Sequence, residues 1–104
     1  MPSVASKAEL VQVLRAQGAA IRGYGVSRLG LFGSFVRDAA GPSSDVDLLV
    51  EFDAGQKSLK NLVGLSRFLE GVLGRQVELV TTASLNPFIG PHIVQEVEYV
   101  ALAA

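Results

Sequence analysis

Residues 33–52 read GSFVRDAAGPSSDVDLLVEF, and this stretch decides the fold. A Gly33-Ser34 pair is followed by ten residues, then by Asp45 and Asp47 at the head of an apolar run. Alternation over Val46 to Phe52 predicts a strand. Val46, Leu48, Val50 and Phe52 fall on one face, and Asp45, Asp47, Leu49 and Glu51 on the other. Unpaired charge is costly to bury, so two carboxylates at such a place either face water or hold a cation. Period-two geometry sets their Cα atoms about 6.5 to 7 Å apart on one side of the strand. From there both can reach one Mg²⁺ or bridge two, and each ion can coordinate phosphate oxygens.

Outward from this segment, short elements alternate. Towards the N-terminus, Arg28 to Phe32 is a brief apolar run ending at Gly33 and reads as a strand. Before it, Gly23 and Gly25 favour a turn. Ser6-Lys7-Ala8-Glu9 forms a capping box ahead of Leu10, Val13, Leu14 and Gln17 at helical spacing, with Gly18 as a stop or kink. Beyond the loop Asp53-Ala54-Gly55-Gln56, the residues Leu59, Leu62, Val63, Leu69, Val72 and Leu73 repeat as a helix from Ser58, and Gly74 suits its C-terminus. Gln76 to Thr81 predicts a third strand, Asn86-Pro87 a turn, and Pro91 the opening of a last helix through Ile93, Val94 and Val97. Tyr99 to Leu102 can add an edge strand. With a short helix placed after Gly33-Ser34, the order is α-β-α-β-α-β-α, a small α/β layer sandwich.

The 104 residues fit a single domain spanning 1–104, large enough to bury a core. Hydrophobic residues make up 49% and charged residues 18%, which excludes a disordered chain. Cysteine is absent, so no disulfide framework or thiolate metal site exists, in keeping with a reducing cytoplasm. Lys7 and Glu9 interrupt the N-terminal segment and no long apolar stretch follows, so neither a signal peptide nor a membrane span is expected. A net charge of −1 argues against an extended nucleic-acid-binding surface.

Gly at position 33 lets the backbone approach a bulky ligand, and free amides at a helix start attract phosphate; Ser34 adds a hydroxyl, or simply caps the helix. Arg37 either lies one helical turn along and faces a triphosphate or is a solvated arginine. Glu78 is a lone acid among Val77, Leu79 and Val80. It is either an outward strand position or a third ligand or base beside the aspartates. The only histidine, His92, reads as a surface residue. Leu49 and Val50 exclude an EF-hand, and neither a P-loop nor a dinucleotide fingerprint is present.

Gly33-Ser34, ten residues, and Asp45-x-Asp47 together resemble the signature of the DNA polymerase β-type nucleotidyltransferase superfamily. LFGSFVRD, SDVDLLVEF and LGRQVELV resemble its minimal nucleotidyltransferase (MNT) branch, from about Leu29 to Val80, with weaker agreement from Pro87 to Val100. The resemblance implies a polymerase β-like fold, a small mixed β-sheet with flanking helices. It also implies nucleotide phosphates on Gly33 and Ser34, with Arg37 nearby, and one or two Mg²⁺ ions on Asp45, Asp47 and Glu78 as the catalytic carboxylates. ATP is the implied substrate and AMP the group transferred to a hydroxyl. Family members commonly pair with a helical HEPN ribonuclease toxin and act as its antitoxin, in the cytoplasm. Two alternatives stand beside this: a non-catalytic antitoxin of the same fold, and a transferase acting on a small molecule such as an aminoglycoside. Two departures from the family pattern are Glu78, where the third carboxylate is usually Asp, and Asp38, where Gly often follows the arginine.

Overall fold

The computed structural model describes residues 4–85, 88 and 90–102. The chain opens with helix α1 (Lys7–Ala16) and helix α2 (Gly18–Arg22). Ser6 caps α1, its hydroxyl accepting from the Glu9 amide at 3.2 Å as the sequence anticipates. Gly18 is the kink between the helices. Strand β1 (Val26–Phe32) then enters the centre of the molecule, two residues earlier than the apolar run suggests.

Strand β2 (Val46–Phe52) runs antiparallel to β1, with Phe32 opposite Asp47 and Leu31 opposite Leu48. Helix α3 (Leu59–Leu73) follows, capped by Ser58 at its start and ended by Gly74 in the left-handed conformation at φ 67°. Its buried face is Leu65, Leu69 and Leu73, spaced four apart, while Leu59 and Val63 of the same apolar series point outward. Strand β3 (Val77–Thr81) lies parallel to β2, in register Asp47 to Glu78. A 3₁₀ turn (Thr82–Ser84), helix α4 (Gly90–Glu96) and strand β4 (Glu98–Val100) complete the described chain. The expected Asn86-Pro87 turn lies outside the described residues. The sheet order is β3-β2-β1-β4, mixed in direction, and β4 is the edge strand expected from the tail.

One element departs from expectation. No helix follows Gly33-Ser34; residues 33–38 form turns instead. The Ala39 amide donates to the Ser34 carbonyl at 2.8 Å and the Asp38 amide to the Phe35 carbonyl at 3.1 Å, around Asp38 at φ 54°. This is the bonding pattern that ends a helix at a left-handed residue, so helical bonding stops after one turn. Gly is the usual residue for that conformation, and Asp is among the few side chains that tolerate it.

The core lies on one face of the sheet, where Leu29, Leu31, Val46, Leu48 and Val50 meet Leu10 and Leu14 of α1 and the buried face of α3. Phe35, from the turn after β1, is fully buried among them. The opposite face carries the acidic residues.

Candidate active site

Pleating puts residues opposite one another in register on the same face of a sheet. Phe32, Asp47 and Glu78 therefore form a row across β1, β2 and β3 on the face away from the main core. Gly30, Leu49 and Val80 form the next row, followed along the sheet by the α4–β4 segment. A Cβ at Gly30 would lie 2.4 Å from Val97 Cγ2, so only glycine lets that segment settle so close to the sheet. Between them a pocket of about 410 Å³ presents the Asp47 and Glu78 carboxylates against the apolar walls of Phe32, Val80, Leu85 and Ile93. A larger groove of about 640 Å³ runs along α1 beside Lys7, Val11, Arg15 and Asp38. It holds one carboxylate and lacks the facing pair that the smaller pocket presents.

Gly33 follows Phe32 at φ 78°, with Asp47 packed directly against it. Its amide donates to Glu96 Oε2 at 3.1 Å, and the other Glu96 oxygen is ion-paired with Arg37. Among the described residues the Ser34 hydroxyl makes no hydrogen bond and caps no helix. Asp45 precedes β2 and is exposed.

Asp47 is half-buried, and its carboxyl is pushed up from the ordinary 3.8 to about 6. Burial is the main cause. The charge of Glu78 and a side-chain hydrogen bond to it come next, then the charges of Asp45 and Glu96. Four carboxylates thus share one negative field. Among the described residues, however, no three acidic or histidine side chains converge closely enough to form a ready metal site. The donor chemistry nonetheless fits a hard divalent cation: all the groups are carboxylate oxygens, and a cation would relieve the repulsion that, after burial, raises the Asp47 carboxyl.

A family model described as a nucleotidyltransferase domain matches residues 14–100. The chain belongs to that family. The protein adenylyltransferase MntA of Thermococcus cleftensis is 43% identical over 77 residues, covering 74% of this chain and 77% of the relative. A solved structure assigned as a minimal nucleotidyltransferase is 34% identical, with a TM-score of 0.69, and covers 85% of this chain and 93% of that one. A chain from the complex of tri-AMPylated Shewanella oneidensis HEPN toxin with its MNT antitoxin superposes with a TM-score of 0.63. That chain is 19% identical and covers 89% of this chain and 73% of that one, a likeness of fold.

As a nucleotidyltransferase, the chain carries its motif residues in two groups. Asp47 and Glu78 face the pocket together, with Gly33 against Asp47. Asp45 acts on Asp47 by its charge from the strand mouth. Arg37 stands on the Gly33 side, joined to Glu96. His92 is exposed on α4, as expected of a surface residue. Glu96 was not legible as a site residue. Its one local signal is an acid in the last turn of a helix, where the helix dipole disfavours negative charge.

Proposed function

We propose that this nucleotidyltransferase transfers AMP from ATP to a hydroxyl of a partner protein, acting as the antitoxin of a helical HEPN toxin. The observation that carries this reading is the Asp47–Glu78 pair, set side by side on parallel strands at one pocket, with Gly33 packed against Asp47. The name of the T. cleftensis relative, a protein adenylyltransferase, supports a protein as acceptor. The AMPylated toxin in the S. oneidensis complex supports both the nucleotide and the partner. In this reading residues 1–104 act as one minimal domain, and the acceptor hydroxyl is presented by the partner. Action in the cytoplasm, where ATP is abundant, goes with the cysteine-free composition. Among the described residues, no helix is long and apolar enough to cross a membrane.

Gly33 and Ser34 bind the phosphates through an amide and a hydroxyl, and Arg37 adds positive charge beside them. Glu78 takes the proton from the attacking hydroxyl. The hydroxyl oxygen forms a bond to the α-phosphorus as the bond from that phosphorus to the bridging oxygen breaks, and pyrophosphate leaves with the electron pair. When bound, Mg²⁺ held by Asp45 and Asp47 would supply the charge that neutralises the carboxylates and the triphosphate. The test is transfer of label from α-labelled ATP to the HEPN toxin in the presence of Mg²⁺. Label should appear on the toxin with the wild type and not with Asp45→Asn. Protection from the toxin without any label would establish antitoxin action by binding alone.

A further inference from the structure

Arg75 lies just past the end of α3 and takes no part in the chemistry above. Its guanidinium is partly buried, yet among the described residues it pairs with no carboxylate. It donates instead to backbone carbonyls: Nε to Val4 at 2.6 Å, and Nη1 to Gly41 at 2.9 Å, Ser44 at 2.8 Å and, more weakly, Pro42 at 3.4 Å. Its Cζ lies over the buried Phe35 ring, 5.0 Å from the centroid.

These contacts join the three segments that carry the Gly33-Ser34, Asp45-x-Asp47 and Glu78 motif residues. Phe35 is two residues from Gly33, Ser44 is one residue before Asp45, and Arg75 itself is three residues before Glu78. The neighbouring residue adds a backbone tie, as the Val46 amide donates to the Gln76 carbonyl at 2.9 Å. The connection over residues 33–45 has no strand partner of its own. Its first half is tied by Gly33 and Arg37 to Glu96 and by the Lys7 amide to Asp38 Oδ1 at 3.3 Å. Among the described residues its second half is tied, besides Arg75, only by a small loop in which Ser44 and Gly41 bond each other. A connection of this length needs an anchor if a residue at its end is to be placed accurately. A planar fork with several fixed donors can satisfy diverging carbonyls at once. A lysine ammonium, compact and on a flexible stem, cannot reproduce that geometry.

We propose that Arg75 is a positioning residue for nucleotidyl transfer: its guanidinium braces the loop between Gly33-Ser34 and Asp45, and so sets where Asp45 stands relative to Asp47 and Glu78. The catalytic part of this inference rests on the nucleotidyltransferase reading above; the bracing part does not.

The experiment therefore has two arms, run on the wild type, Arg75→Lys and Arg75→Ala. Amide hydrogen exchange reads the brace directly. In Arg75→Lys, exchange across residues 39–46 should accelerate at least severalfold while α3 keeps its protection; unchanged exchange in that segment overturns the proposal. Transfer of AMP to the toxin, titrated with Mg²⁺, reads the consequence. Loss of support behind metal ligands typically costs about 10- to 100-fold in metal affinity or activity, so Arg75→Lys should need that much more Mg²⁺ or turn over that much more slowly. Its KM for the toxin should stay unchanged. Millimolar guanidinium should restore part of the rate to Arg75→Ala and none to Asp47→Asn. Wild-type rate and Mg²⁺ requirement in Arg75→Lys, or a loss that only tracks the unfolded fraction, also overturns it. A wild type that neither binds ATP with Mg²⁺ nor transfers AMP would count against the transferase reading, and the exchange arm would still decide the brace.

Discussion

A Cβ placed on Gly33 would sit 2.2 Å from Asp47 Oδ2. Gly33 and the carboxylate of Asp47 on β2 are therefore one packed unit, although fourteen positions separate them in sequence. The left-handed φ of 78° and the side chain of Asp47 each demand glycine there independently.

Gly33→Ala should consequently fail on both counts. Strain of this kind costs about 1 to 3 kcal/mol, and relief of the clash must displace the Asp47 carboxylate from its place between Gly33 and Glu78. The expected result is a lower melting temperature together with loss of transfer activity in the molecules that remain folded. An alanine variant with wild-type stability and rate would show that the pair is not held in this arrangement.

Asp47→Asn should separate stability from function. The folded protein holds the Asp47 proton more tightly than the unfolded chain does, because the carboxyl is raised to about 6. Metal-free wild type therefore loses stability as pH rises from about 4 to 6, and the loss is complete above that window. After allowance for solvent screening of a half-buried group, the effect is about 1 kcal/mol. Metal-free Asp47→Asn should melt at or above the wild type at pH 7, and its stability should be flatter between pH 4 and 6. Mg²⁺ with ATP should stabilise the wild type and not the variant. Thermal melts across pH, with and without Mg²⁺·ATP, check both halves.

Much of the sheet was legible because its signals are local. The run VDLLVEF bounds β2, and Ser58 and Gly74 mark the two ends of α3 as closely as capping chemistry allows. The strand that carries Glu78 was legible, but its parallel register beside Asp47 is set only in the assembled sheet. The helix expected after Ser34 failed because one residue, Asp38, adopts the left-handed conformation and stops it. Glu96 and Arg75 were not legible for a different reason. Glu96 meets Gly33 across 63 positions and Arg75 meets Val4 across 71, contacts that exist only once the sheet and its crossing helices have assembled.

Glu96 leads to a prediction of its own. Its two oxygens occupy the Gly33 amide and the Arg37 guanidinium, the groups that the transferase reading assigns to nucleotide phosphate. ATP must displace that carboxylate, so Glu96→Ala should tighten binding of ATP·Mg²⁺. One hydrogen bond to a charged group no longer in competition is worth about 1 kcal/mol, or about fivefold in Kd. Removing this charge also lessens the repulsion on Asp47, which acts in the same direction. Calorimetric titration at fixed Mg²⁺ reads the change. Weaker binding in the variant would instead make Glu96 a ligand of the bound nucleotide's metal.

Glu78 is where this chain departs from the family's usual aspartate, and its placement opposite Asp47 makes the departure testable. If Glu78 takes the proton from the acceptor hydroxyl, Glu78→Gln should slow transfer by about 10²- to 10⁴-fold, the range typical of general-base assistance. ATP·Mg²⁺ binding should largely persist, because Asp45 and Asp47 remain to hold the ion that accompanies the nucleotide. Gln also removes a charge that raises the Asp47 carboxyl, so the acid limb of any pH profile should move to lower pH. Glu78→Asp keeps the charge on a side chain one methylene shorter, and it should retain activity and can exceed the wild type. Single-turnover transfer to the toxin, measured beside nucleotide titrations, separates the outcomes. Equal rates for Glu78→Gln and wild type would reduce Glu78 to a strand residue with no part in the chemistry. Loss of ATP·Mg²⁺ binding in Glu78→Gln would move it from base to primary ligand of the nucleotide's metal.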